Sequence, residues 1–159
     1  MKIVSSRHLL IMFGAFAVGL IAAFFWVRIP MTALTPECLA AARAKWDRAG
    51  IQSYDASYLM HGSAYDVKVR DGIVMEVLVD GRPATSADVR SYSMPGLFDL
   101  LELELENMSD PNGPFRFGLD TVVARVRFHP EYGYVERYLR SGGGQHRGAS
   151  VELTAFVRR

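Results

Sequence analysis

The side chains that could do chemistry in this chain are few: four histidines, one cysteine, a run of three glycines and basic residues set at alternate positions. His8, His61, His129 and His146 are far apart, and none forms the H-x-x-x-H spacing that puts two imidazoles on one helix face for zinc. The last three each stand beside a turn signal, so no metal site is expected. Cys38 is alone, which excludes an intramolecular disulfide and a cysteine-built zinc cage. No basic cluster stands beside it to favour a reactive thiolate, and a buried, inert thiol is expected. Gly142-Gly143-Gly144 lacks the following Lys-Ser/Thr and helix of a phosphate loop and reads as a flexible connection. No G-x-S-x-G elbow occurs, and Asp99 with Glu102, three apart, reads as a solvated helix face. No catalysis and no cofactor are expected.

The basic residues are more suggestive. Lys68 and Arg70 alternate with Val67 and Val69, and Arg125 and Arg127 alternate with Ala124, Val126 and Phe128. Successive side chains on a strand point to opposite faces. If Tyr65, Val67, Val69, Val122, Ala124, Val126 and Phe128 face a core, then Lys68, Arg70, Arg125 and Arg127 emerge through the other sheet face. Four cations there would suit an anionic ligand, because the guanidinium fork binds phosphate or carboxylate bidentately. Asp66, Glu76 and Glu152 are expected on the same face, where cross-strand pairing would neutralise part of it. Two readings stay open: a solvated sheet surface, or a docking face for an anionic envelope component, whether lipid headgroup, polymer or acidic protein.

Strands must therefore position these residues. Tyr54 to Met60 and Tyr65 to Arg70 alternate in polarity, and Asp71-Gly72 stands before the alternating run Ile73 to Val79. Asp-Gly between such runs is a strong hairpin signal, because both turn residues need positive φ. A second Asp-Gly, Asp80-Gly81, ends the run, and Pro83, which cannot donate to a ladder, marks a sheet edge or exit. A second set follows: Val122 to Phe128, a turn at His129 to Gly133, Tyr134 to Arg140, a Gly-rich loop over 141–150, and Val151 to Val157.

Each strand set is preceded by a helix. Thr35-Pro36-Glu37 supplies a cap, a first-turn proline and an acidic first turn, Leu39, Ala42, Trp46 and Ala49 share one face, and Gly50 is the stop. Trp46 is expected to anchor this helix on the sheet, the alternative being an exposed tryptophan at a membrane surface. Ser93-Met94-Pro95 opens a second helix over about 94–107, although Leu101 to Glu106 also alternates as a strand would; the helix propensity of Leu and Glu decides for helix. That choice leaves Glu104 near the apolar side, as a frayed or snorkelling carboxylate, and Leu103 on the polar side. Asn107 to Asp120 reads as a long irregular loop.

Leu9 to Val27 is about nineteen residues without a charge, Asn or Gln, which is long enough to cross a hydrocarbon core as a helix. Lys2 and Arg7 precede it and only Arg28 closely follows, so the positive-inside rule puts the N-terminus in the cytoplasm and the domain outside, at the periplasmic or extracellular face. A cleaved signal peptide is the alternative, but the run is long for one and its exit lacks a small-x-small site. Gly14, Ala15, Ala17, Val18 and Gly19 could pack against another span. The division expected is a tail over 1–8, a signal anchor over 9–28, a linker over 29–34 and one extracytoplasmic α+β domain over 35–159. That domain is a two-layer fold in α-βββ-α-βββ order, about six antiparallel strands with two helices on one face. Net charge +1 argues against a nucleic-acid partner, which would call for a basic excess.

Residues about 40–140 resemble the bacterial domain-of-unknown-function family numbered 6174. The likeness rests on Trp46, Gly50, Ile51 and Tyr54, on Val67, Val69, Asp71, Gly72 and Val74, on Leu97, Phe98 and Asp99, and on Pro130, Gly133 and Tyr134. His129 stands where that family usually has Asp and Val135 where it has Pro, and the cysteines many members carry in the first hairpin are absent. The resemblance implies a secreted or membrane-anchored domain and brings no activity with it. A non-catalytic binding or regulatory domain is therefore expected, with a structural accessory subunit of a membrane complex as the alternative.

Overall fold

In the computed structural model, residues 30–85, 89–110, 112–113, 115, 122–142 and 148–159 are described. The apolar run Leu9–Val27, the tail with His8, most of the loop after residue 110 and the Gly-rich segment with His146 lie outside them. Among the described residues no helix is long and apolar enough to cross a membrane. The chain divides into Met1–Pro30 and Met31–Arg159, and the second unit is the α+β domain.

The helix starts are where the cap chemistry puts them. Helix α1, Pro36–Ala49, begins at Thr35, whose hydroxyl accepts from the Cys38 amide at 3.2 Å while the Cys38 thiol accepts from the Thr35 amide at 3.3 Å. Cys38 is thus half-exposed and occupied in a capping box, which corrects the expectation of a buried thiol. Gly50 ends α1 in the left-handed region. Helix α2, Met94–Ser109, starts at Ser93, whose hydroxyl accepts from the Gly96 amide, and follows a short 3-10 turn over Val89–Tyr92. It is a helix throughout and two residues longer than expected.

The strands are β1 Thr32–Ala33, β2 Tyr54–Met60, β3 Ser63–Arg70, β4 Ile73–Val79, β5 Arg82–Pro83, β6 Val123–Phe128, β7 Val135–Ser141 and β8 Ala149–Arg158. All pair antiparallel, in the order β1-β6-β7-β8-β2-β3-β4-β5. Among the described residues eight strands replace the expected six because two-residue strands cap both edges, and so short a segment carries no period to read. One of them, β1, lies inside the stretch expected to be linker: Thr32 and Ala33 pair with Val126 and Arg125, and Leu34 is buried. The other, β5, stops at Pro83, which has no amide hydrogen to extend the ladder.

Both Asp-Gly turns are hairpins with Asp71, Gly72, Asp80 and Gly81 all at positive φ. Two three-stranded meanders, β2-β3-β4 and β6-β7-β8, are joined side by side through β2 and β8. Trp46 meets Tyr54 of β2 and Phe156 of β8 edge-on, and Phe98 of α2 stacks on Phe128 of β6, so both helices cover the same sheet face. The core is Leu39, Ala42 and Trp46 from α1, Met94, Leu97, Phe98 and Leu101 from α2, and the inward set Tyr54, Ala56, Tyr58, Val67, Val69, Val77, Ala124, Val126, Val135, Tyr138 and Val151.

Tyrosines of β2 hold the start of α2. The Tyr54 hydroxyl accepts from the Met94 amide at 2.8 Å, and the Tyr58 hydroxyl donates to the Tyr92 carbonyl at 2.9 Å. Burial pushes the Tyr54 hydroxyl up to about 12 and the Tyr134 hydroxyl up to about 12, and lifts Tyr58 and Tyr138 further. An acid whose folded pKa is raised loses its proton first in the unfolded chain. Its contribution is therefore intact below pH 10 and is lost as the pH climbs from 10 through 12. For Tyr54 the loss amounts to about 2–3 kcal/mol. Tyrosinate absorbance near 295 nm is expected to rise for these four only as near-ultraviolet circular dichroism collapses; full ionisation with the dichroism intact would contradict this.

Candidate functional site

The four basic residues do share the helix-free face of the sheet, in two groups. Lys68 and Arg70 are on β3 and Arg125 and Arg127 on β6, with β7, β8 and β2 between them. At a strand spacing of about 4.8 Å the groups are about 19 Å apart, too far for one small anion to bridge. Most of them are also matched locally. Lys68 faces Glu76 across the hairpin at 2.5 Å, which raises its pKa; Arg70 reaches Asp55 at 2.7 Å; Arg127 reaches Glu136 at 2.9 Å. Of the expected carboxylates, Asp66 accepts from the Ser57 hydroxyl and Glu152 stands 3.6 Å from Arg137. Hydrogen bonds from Arg70 and Arg159 together hold the Asp55 carboxyl below its ordinary value.

Arg125 differs from the other three. It is exposed, and among the described residues its side chain has no ion-pair or hydrogen-bond partner. It lies between Ala33 of β1 and Leu139 of β7 in one cross-strand row, with Val123 two positions before it on the same face. Leu139 is 42% and Val123 40% exposed. The β6–β7 corner is therefore a free guanidinium among apolar side chains, with half-exposed Arg137 in the next row. Arg137, Glu136 and Asp55 were not singled out in the sequence. Glu136 is the extra residue of a bulge between Arg127/Arg137 and Phe128/Val135, and a bulge gives no simple sequence signal.

Four of the residues that carry the likeness, Trp46, Tyr54, Gly133 and Tyr134, gather elsewhere, where α1 meets the β6–β7 turn. Trp46, Tyr54, Phe156 and Tyr134 form a continuous aromatic cluster, with Tyr134 stacked on Phe156 at 4.4 Å between centroids. His129 stacks on Tyr134 and Tyr132, and its Nδ1 accepts from the amides of Glu131 and Tyr132 at 3.3 and 3.2 Å. An aspartate accepts such amides equally well, so His129 does at this turn what Asp would do. The ring must then carry its proton on Nε2. His61 sits in the β2–β3 turn at the opposite end of the sheet, so the two described histidines cannot share a ligand. Among the described residues no three His, Cys, Asp or Glu side chains gather as a metal would require.

Glu104 is the other surprise. It is 9% exposed and points from α2 onto β7, its Oε2 3.4 Å from the Arg140 Nε. Arg140 in turn lies over the Phe115 ring at 4.3 Å. The Tyr138 hydroxyl is buried against Glu104; burial, and after it the Glu104 carboxylate, push its pKa up. Asp99 and Glu102 face Arg43 of α1 and pair with it, so they tie the helices together and are not merely solvated. On the other flank of α2 a groove of about 1090 Å³ runs toward β4, with Met60, Ile73, Val74, Leu100 and Leu103 on its walls. It is open because the helices leave this wing of the sheet to the 3-10 turn.

No protein-family profile, curated protein or solved structure matches this chain.

Proposed function

We propose that the chain is a single-pass membrane protein, anchored by residues 9–28 with its N-terminus in the cytoplasm, whose domain is an extracytoplasmic, non-catalytic binding or regulatory module. The observation that carries this reading is the uncharged run Leu9–Val27 with Lys2 and Arg7 before it, and the backbone enters the domain soon after that run. Thr32 and Ala33 are hydrogen-bonded onto β6 and Leu34 is buried, only a few residues after the apolar run ends at Val27. On this reading the five residues from Val27 to Thr32, at most about 18 Å of extended chain, limit how far the β1 edge can stand from the end of the run. Kinship with family 6174 belongs to the same proposal, and the convergence of Trp46, Tyr54, Gly133 and Tyr134 on one packing cluster supports it.

A second reading, a structural accessory subunit, is favoured by Leu59, Val123, Leu139 and Val157, all exposed on the helix-free face. The readings part when the apolar run is removed. A binding module should remain monodisperse, whereas an accessory subunit should aggregate through that face and co-purify from mild detergent with one stoichiometric membrane partner. Orientation is tested by protease added to intact spheroplasts: the domain should be digested. A protected domain, or a mature N-terminus beyond Val27, overturns the anchored, outward-facing reading.

A further inference from the structure

We propose that the corner of the helix-free sheet face made by β1, β6 and β7 docks on anionic phospholipid headgroups of the bilayer in which the chain is anchored. The sheet then lies against the membrane and the helices point away from it. This rests on the anchored reading above. Arg125 is the centre of the patch. It is exposed and unmatched among the described residues, whereas Lys68, Arg70 and Arg127 are matched. Arg137, one row along, shares Glu152 at 3.6 Å, too long for a hydrogen bond, and keeps 46% of its side chain exposed. Val123 and Leu139 flank Arg125, and an arginine among apolar side chains is suited to a headgroup boundary: its stem lies on the apolar surface while the guanidinium takes a phosphate bidentately.

Chain length identifies the occupant. Thr32 follows Val27 by five residues, which span at most about 18 Å fully extended. Ala33 pairs directly with Arg125, one strand spacing of about 4.8 Å further. The patch is therefore leashed to the membrane plane more tightly than any other part of the sheet. A leash of that length supplies a local concentration in the millimolar range, so two arginines worth about five-fold each suffice to set the orientation. The β3 cations, four strand positions from β6 and already paired, take no part.

The test uses the full chain in vesicles of phosphatidylcholine, alone or with added phosphatidylglycerol, carrying nitroxide-headgroup lipid. In a Cys38→Ser background a fluorophore is placed by Leu139→Cys on the sheet face or by Leu103→Cys on the helix side. Quenching at 139 should exceed that at 103 in anionic vesicles. It should fall in neutral vesicles, in high salt, and by about five-fold per arginine in Arg125→Ser and Arg137→Ser, with Arg125→Lys retaining most of it. Equal quenching at both positions, or quenching at 139 that ignores lipid charge, overturns the docking while leaving the anchor intact. A chain washed off neutral vesicles by salt overturns the anchor itself and the docking with it.

Discussion

Gly133→Ala is expected to cost about 2–5 kcal/mol, whereas Gly81→Ala, at the same backbone angle, should cost about 1. Both glycines have φ of 76°, so the strain of placing a side chain in the left-handed region is common to them. Their surroundings are not. A Cβ on Gly81 meets nothing within 4 Å, while one on Gly133 would stand 2.2 Å from the Ala42 carbonyl oxygen and 2.9 Å from the Lys45 Cβ. Those atoms belong to the body of α1, which cannot yield without moving Trp46 off Tyr54 and Phe156. The same turn is tied to α1 by the Lys45 ammonium, which donates to the Pro130 carbonyl at 2.8 Å. For a domain of this size the difference corresponds to a fall in melting temperature of about 10–20 °C for Gly133→Ala against a few degrees for Gly81→Ala. Equal melting temperatures would mean that the turn does not bear on the helix.

What could be read from the sequence was whatever local chemistry decides. Thr35-Pro36, Ser93-Met94-Pro95 and the two Asp-Gly pairs each fix a cap or a turn within four residues, and all are where they were expected. The alternation of Leu and Glu at 101–106 was ambiguous in period, and helix propensity with the serine cap resolved it. What depended on distant partners could not be read. The adjacency of β8 to β2 leaves no mark on either strand, and the shared face of Lys68 and Arg125 gave no sign that three strands would separate them. Asp55 and Glu136 sit in ordinary strand positions, and only the cross-strand geometry assigns them to Arg70 and Arg127. The edge strands are missing for a different reason: two residues hold one full period at most.

Glu104 is where helical spacing pointed correctly and the interpretation failed, and it carries the other large expected effect. Its spacing on α2 from Leu97 and Leu101 put it on the apolar side, as observed, yet it neither frays nor snorkels, because Arg140 rises from β7 to meet it. Both side chains are more than four-fifths buried, so Arg140→Leu leaves the Glu104 carboxylate poorly solvated and Glu104→Leu takes its α2 carboxylate from Arg140. Glu104→Leu is expected to destabilise by about 3–5 kcal/mol, with Arg140→Leu comparable. The double change should recover much of either loss, since two leucines bring no charge into the core and a buried ion pair is often no better than apolar packing of similar volume. Denaturant unfolding of the four proteins gives the coupling directly, and strictly additive losses would show that the pair does not act as a unit.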